Sequence, residues 1–399
     1  MYIHKCELAM EILLITMSIS ALFMISKYPI YDFEILLQLL SFRDIMTLII
    51  TILIGKITTM NEFYNKLKFL EETEKVPKEV YYHYTSLDAL YSIVKSRTFR
   101  LMSLRSSNDR TELFYKPEKF MLDVSHVCDA TKDENVKKCY RLMQSSLESH
   151  KDSLLKELNS QKHPYALCLS TKKDNLTHWD RYACNCTGVA IGFNVKALDV
   201  LYRRTSTSGF ALGLLDLGQT LYTQQSIDNW IRYELNRGFL WLKQLNDSTV
   251  DKNLKKTIEQ SAYLFMGAAC RNVTKFAKTT AFSDEDEFRI YFDPNNIKET
   301  LRLIDSGKGQ IEEELYQNLR KNFLELVDSL KIREENFAMT RSGIRGYHNL
   351  CLDGIWGSGV IPEIVLGPMC VQNKNELRRF LKSNGLEGTK ITASSVPIR

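Results

Sequence analysis

Apolar positions are spread unevenly along the chain. Residues 8–26 read LAMEILLITMSISALFMIS, with no charge after Glu11 and close to the length that spans the hydrocarbon core of a bilayer. A second apolar run, residues 45–55 (IMTLIITILIG), follows a short loop holding Lys27, Pro29, Asp32 and Glu34, with Arg43, Asp44 and Lys56 at its edges. Together the two runs predict a transmembrane hairpin of one or two helices over residues 1–60. It would lie in the inner, cytoplasmic membrane with both ends inside, because Lys56, Lys66 and Lys68 follow the second run. A buried helix pair away from the bilayer is the alternative, since Glu11 and the Arg43/Asp44 pair interrupt the apolar face. A cleaved signal peptide fits less well, because Glu7 and Glu11 spoil a basic start and no small-x-small site follows.

The pattern changes after residues 61–78, a charged helical connector closed by Pro77. From residue 79 onward, short apolar-rich runs with strand character alternate with helical periodicity. The strand-like runs are EVYYHY (79–84), TFRLMS (98–103), PYALCLS (164–170), TGVAIGFN (187–194), EFRIYF (287–292), EIVLG (363–367) and KITASSVPI (390–398). Helical insertions are predicted around residues 136–158, 226–278 and 311–330. The fold class this implies is α+β: small mixed or antiparallel sheets with large helical insertions, forming one soluble domain over residues 79–399 that faces the cytoplasm.

Composition narrows the picture modestly. With 44% hydrophobic and 25% charged residues the chain buries a real core and is not disordered. A net charge of +5 over 399 residues argues only weakly for anionic partners, so a nucleic-acid partner has no support beyond it. The nine cysteines are scattered, with Cys184 and Cys186 the only close pair, which fits reduced thiols rather than a disulfide framework or a CxxC zinc site. The seven histidines lack HxxxH spacing, so no metal is expected. Phosphate loops, GxGxxG turns and GxSxG elbows are missing from the sequence.

Four segments place polar residues at strand ends. In the first, Tyr82, His83 and Tyr84 close a strand before a helix capped by Thr85 or Ser86; alternation sends both tyrosines to one face and His83 to the other. A histidine there serves a structural or a catalytic role, and the segment by itself does not choose. In the second, Ser106, Ser107, Asn108 and Asp109 read as a turn and helix cap ahead of a ligand contact. The third runs from the strand end Ser170-Thr171 into a short helix that carries Trp179 and Tyr182 on one face, near His178; such aromatics are core or the floor of a ring-binding slot. The fourth, AKTTAFSDEDEFRIYF, crowds Asp284, Glu285, Asp286 and Glu287 into a strand start. Alternation predicts Glu285, Glu287 and Arg289 on one face, with Arg289 keeping Glu287 ionised.

In this order, with LMSLRSSNDRTE, THWDRYACNCTGVAIGFN, EDEFRIYF, IPEIVLGPMC and the final SSVPIR, the chain resembles the bacterial domain-of-unknown-function family 2971 from about Val80 to Arg399. Leu169-Ser170 departs from the Phe-Ser strand end usual there. More distantly, the order is similar to ADP-ribosyltransferase cores. That resemblance implies an enzyme using NAD to modify a protein or nucleic acid, or hydrolysing it, plausible in anti-phage defence or as a toxin. Its implied site has Glu287 and Glu285 as catalytic acids and His83, Tyr84, Ser170, Trp179, Tyr182 and Arg289 around NAD. His83 would contact a ribose, tyrosines would sandwich the nicotinamide, and Glu287 would stabilise the oxocarbenium-like centre. The first motif is His-Tyr, whereas an E-x-E usually accompanies Arg. A non-catalytic nucleotide-sensing module coupled to the bilayer is the alternative reading.

Overall fold

The structure is a computed structural model. It describes residues 79–106, 117–149, 164–194, 214–246, 273–306, 313–340, 343–357 and 359–397, with isolated positions at 197, 267, 270 and 308. The expected membrane hairpin and connector, and Ser107, Asn108 and Asp109, lie outside the described residues. Among the described residues no helix is long and apolar enough to cross a membrane.

The elements run in the order β1 (Val80–Thr85), α1 (Leu87–Ser96), β2 (Thr98–Ser103), α2 (Pro117–Ala130), α3 (Glu134–Ser149), β3 (Tyr165–Ser170), α4 (Leu176–Tyr182), β4 (Val189–Asn194) and β5 (Leu215–Gln219). Then come α5 (Gln224–Asn246), β6 (Glu287–Phe292), α6 (Asn295–Ser306), α7 (Glu313–Leu330), β7 (Glu335–Thr340), β8 (Gly343–Cys351), β9 (Glu363–Leu366), α8 (Lys374–Ser383) and β10 (Lys390–Ala393). The α+β class stands. In place of several small sheets, however, the described strands join one open sheet of ten, ordered β10-β9-β4-β1-β3-β2-β8-β7, with β5 and β6 branching from β3. Among the described strands β9 and β10 pair in parallel and the others antiparallel. All seven predicted strand runs form, although the last stops at Ala393, and β5, β7 and β8 are additional. Within the described residues, the three insertions are helical over Glu134–Ser149, Gln224–Asn246 and Glu313–Leu330.

Local chemistry sets the helix starts. Ser86 caps α1 by accepting from the Ala89 amide at 3.1 Å, and Asn175 caps α4 by accepting from the His178 amide at 3.2 Å. Alternation in β1 divides its side chains as expected. Tyr81 joins the main core, built from one sheet face with Leu90, Ile93 and Val94 of α1, Phe323 and Val327 of α7, and Leu377 and Leu381 of α8. Tyr82 and Tyr84 face the other way, into a smaller cluster with Trp179, Ala190 and Val365 beneath α4. On that second face a third cluster, with Phe120, Tyr140, Met143 and Trp230 from α2, α3 and α5, covers Ala166 and Tyr291.

One irregularity in the sheet matters most. β6 pairs with β3 along its whole length, from Tyr165↔Phe292 to Ser170↔Glu287. On its other edge β3 has two partners: β2 at Tyr165 and Ala166, and β1 at Ser170 alone. β1 and β2 therefore part around Cys168, which pairs with neither. Cys168 is exposed in the middle of an otherwise buried strand.

Close backbone packing anchors the β1 side of this split. A Cβ on Gly188 would sit 2.2 Å from the Thr85 carbonyl oxygen and 2.9 Å from that of Ala183. Neither neighbour is a side-chain end that could swing away, so Gly188→Ala is expected to destabilise the fold by about 1–3 kcal/mol. A urea-unfolding midpoint unchanged by this substitution would contradict the packing of β4 against the end of β1.

Candidate functional site

A cleft of about 920 Å³ opens at the split. Tyr82, His83 and Tyr84 of β1 line one side, together with His178 and Tyr182 of α4. Arg100 and Met102 of β2 with Arg345, Tyr347 and Asn349 of β8 line the other, and Cys168, Ser170, Lys278, Glu285 and Glu287 complete the wall. Six of the eight residues proposed from the sequence thus share one cavity: His83, Tyr84, Ser170, Tyr182, Glu285 and Glu287. Trp179 and Arg289 stand behind it.

His83 closes the gap in the sheet. Its Nδ1 lies 3.0 Å from the Cys168 carbonyl oxygen, an acceptor that neither β1 nor β2 reaches by backbone pairing. Burial lowers the His83 pKa against the opposing effect of that hydrogen bond, so the ring is neutral at pH 7. A neutral imidazole donating from Nδ1 keeps a lone pair on Nε2. The ring also packs edge-on to Phe99, with centroids 5.9 Å apart.

The four-acid run is organised differently from simple strand alternation. Residues Thr280–Glu285 form a turn of 3-10 helix, and Asp286 takes a left-handed conformation (φ 43°) before β6 begins at Glu287. Glu285 is therefore not a strand neighbour of Glu287. The kink is held by Thr171, which donates to the Asp286 carboxylate, and by Gln219 Nε2 at 3.2 Å from Asp286 Oδ1. The two glutamates nevertheless converge through a residue the sequence reading passed over. Lys278 Nζ sits 2.7 Å from Glu285 Oε2 and 2.9 Å from Glu287 Oε2.

Arg289 does lie on the Glu287 face, and it grips that carboxylate with Nε at 3.0 Å and Nη2 at 3.1 Å. The guanidinium is almost wholly buried, and its Nη1 donates to the Lys275 carbonyl oxygen at 3.1 Å. Burial alone would raise the Glu287 pKa. Arg289 and then Lys278 overcome it and bring the value down to about 2. The Tyr222 hydroxyl accepts from the Glu287 amide at 3.0 Å, so the start of β6 is braced from the backbone side too.

Tyr182 donates its hydroxyl to Glu285 Oε1 at 2.5 Å, and Ser170 Oγ donates to the Glu285 carbonyl at 2.7 Å. That same carbonyl lies 3.1 Å from His178 Nε2. Tyr84 spends its hydroxyl on the Lys172 carbonyl, at 2.8 Å, and accepts from the Asn175 amide. The two tyrosines do not face each other as a simple sandwich. His178 contacts both rings, with centroids 4.9 Å from Tyr84 and 5.9 Å from Tyr182, so a planar group would stack on the His178/Tyr182 assembly as a whole.

Trp179, left open in the sequence as core or slot, is core. It is fully buried, meets Tyr84 edge-on at 4.8 Å and donates its indole N–H to Asp174 at 2.6 Å. Asp174 also receives the Ser394 hydroxyl at 2.6 Å and the Ser395 amide at 2.7 Å. The C-terminal serines thus tie down the start of α4 and with it the aromatic side of the cleft.

A family model described as a protein of unknown function, DUF2971, matches residues 178–290, from His178 within the aromatic helix α4 into β6. The match supports that family over a narrower span than the resemblance had suggested. No curated protein and no solved structure matches the chain.

The Glu287 environment predicts the acid limb of stability. Its folded pKa lies below the ordinary 4.5, so the ionised carboxylate stabilises the fold above about pH 4.5, and this contribution is lost as pH falls toward 2. Glu287→Gln leaves Arg289 buried without its counter-charge, at a cost of roughly 3–5 kcal/mol at neutral pH. Urea midpoints should therefore fall more steeply in the wild type than in the variant as pH drops below 4.5, and parallel profiles would refute the assignment.

Proposed function

We propose that the cleft binds a nicotinamide dinucleotide and that the protein transfers the ADP-ribosyl group to a macromolecule or to water. One observation carries this reading: His83, Tyr182 and Glu287, from three distant parts of the chain, line one cavity at the parting of β1 and β2. Its volume of about 920 Å³ falls at the upper end of ordinary ligand pockets. In the reaction the bond between the ribose anomeric carbon and the nicotinamide nitrogen breaks, and its electron pair leaves with nicotinamide. An acceptor oxygen or nitrogen then bonds to the anomeric carbon and gives up its proton.

Each residue has a role its surroundings suit. His83, pinned through Nδ1, offers Nε2 to a ribose hydroxyl. The Tyr182/His178 surface offers a flat support for the departing ring. Glu287 is ionised and held from two sides, so it meets developing positive charge without having to reorganise. Glu285, oriented by Tyr182 and Lys278, is the second acid beside it.

A second reading has an observation in its favour. Lys278 and Arg289 balance the two glutamates charge for charge, which weakens the field that a ribosyl cation would feel. A site balanced in this way suits capture of a nucleotide without turnover, as in a sensing module.

Full-length protein incubated with NAD labelled on the adenylate distinguishes the two. Transfer predicts nicotinamide release, at a rate falling about 100-fold or more in Glu287→Gln. Because that variant loses stability, Tyr182→Phe provides the gentler test. It removes one donor to Glu285, costs the fold only about 0.5–1.5 kcal/mol, and should slow release at least several-fold. Saturable NAD binding with neither nicotinamide release nor label transfer would overturn catalysis in favour of the sensing module.

A further inference from the structure

The wall of the cleft opposite His83 carries charge that the proposed chemistry does not use. Register pairs Arg100 with Asn349 and Met102 with Tyr347 across β2 and β8, and Arg345 follows two residues from Tyr347 on the same face. Arg100 lies over the Tyr347 ring, its guanidinium carbon 4.7 Å from the centroid. Lys331, just beyond α7 in a left-handed conformation (φ 56°), lines the same cavity. Among the described residues, none of these three cations has a carboxylate within ion-pair distance. The carboxylates lining the cleft are Glu285 and Glu287, already matched by Lys278 and Arg289, and Asp88 on the first turn of α1.

We infer that this wall is a phosphate-binding subsite, with Arg100 and Arg345 as its principal ligands and Lys331 as a supporting charge. Stacking on Tyr347 fixes the Arg100 plane and leaves its N–H groups for a planar, bidentate contact, which suits phosphate oxygens. Tyr347 itself offers a ring to a neighbouring base or sugar. β2 and β6 lie on opposite sides of β3, β2 pairing at Ala166 and Tyr165 and Glu287 of β6 pairing with Ser170, so the arginine wall and the acid end flank the same strand across the cleft. A ligand whose ribosyl carbon lay at Glu287 would extend its phosphates toward Arg100. The subsite deepens the dinucleotide reading and rests on it for the ligand's orientation. The phosphates would belong either to the dinucleotide or to a nucleic-acid acceptor reaching the same wall.

The test compares the full-length wild type with an Arg100→Gln/Arg345→Gln double variant, using ADP-ribose, nicotinamide riboside and a short single-stranded oligonucleotide as probes. Arg100 is exposed and Arg345 half-buried, so an unchanged thermal midpoint verifies folding. The subsite predicts that affinity for a phosphate-bearing probe falls at least tenfold, with nicotinamide riboside unaffected. Loss for ADP-ribose assigns the phosphates to the dinucleotide. Loss for the oligonucleotide, with its salt slope flattened by about 1.4 for two lost contacts, assigns them to an acceptor strand. Equal binding of both phosphate probes by a folded double variant, or binding of neither by the wild type, overturns the subsite. The two proposals fail separately. Phosphate binding through the arginines without nicotinamide release would remove the transfer reading alone, whereas NAD turnover with both the KM and the oligonucleotide affinity unchanged in the double variant would remove the subsite alone.

Discussion

The site depends on a shortage of backbone partners along one edge of β3. Two strands claim that edge and neither can cover it all: β2 takes Ala166, β1 takes Ser170, and Cys168 lies between them. A sheet normally satisfies every interior carbonyl with a neighbouring strand, so the Cys168 carbonyl, in the stretch 167–169 that neither β1 nor β2 pairs, must find its donor elsewhere. His83 supplies it with a ring nitrogen. The same contact that completes the sheet fixes the imidazole at the mouth of the cleft, with Nε2 turned away from the bond. One bond therefore gives His83 a structural role and leaves Nε2 free of it, and the sequence offered no means of choosing between a structural and a catalytic histidine.

Around that gap the second sheet face is covered by two separate apolar clusters. One lies under α4 and includes Trp179; the other lies under α2, α3 and α5. Their anchors are more rigid than the residues they position. Trp179 is locked to Asp174, which the C-terminal Ser394 and Ser395 hold in turn, and Arg289 is locked to Glu287 and the Lys275 carbonyl. Neither Trp179 nor Arg289 reaches the cavity. Each holds a residue that does: Trp179 supports Tyr84 and the aromatic helix, and Arg289 keeps Glu287 ionised.

Much of the fold was legible because its strands are short, apolar and bounded by polar turns. β3, β4 and β6 carry the signal most clearly, being almost wholly buried, and β1 follows them by burying Tyr81, Tyr82 and Tyr84. The strands left unread lack that signal for physical reasons. β7 lies at the sheet edge with Phe337 and Met339 exposed, so its apolar residues do not mark a buried face. β8 mixes Arg345, Tyr347 and Asn349 on its cleft side, and a strand lining a polar cavity does not alternate as a core strand does. β5 is short and interrupted by Asp216 and Gly218; Asp216 is neutralised by Lys275 at 2.6 Å, and Gly218 gives room to the Phe276 ring. At the site, the left-handed turn at Asp286 escaped strand alternation, and Lys278 was hidden because its two partners, Glu285 and Glu287, are brought together only across that turn.

The distribution of charge then limits what the cleft can be. At the acid end two carboxylates meet two cations inside the protein, and the sum is near neutral. Such an arrangement stabilises only weakly over the unfolded chain, since desolvation offsets most of the attraction, but it fixes geometry closely because no member can move without stranding another. At the β2–β8 end three cations line the cleft, and the further carboxylate in its lining is Asp88 on α1. Arg100 and Lys331 are exposed and Arg345 is half-buried, so they incur little desolvation cost, and among the described residues none has a carboxylate within ion-pair distance, which leaves their charge available to a ligand. A molecule that fits both ends would be anionic where it meets Arg100 and Arg345, and near neutral, with a planar group, where it meets Tyr182 and Glu287. That asymmetry, more than any single residue, favours a nucleotide over an uncharged metabolite.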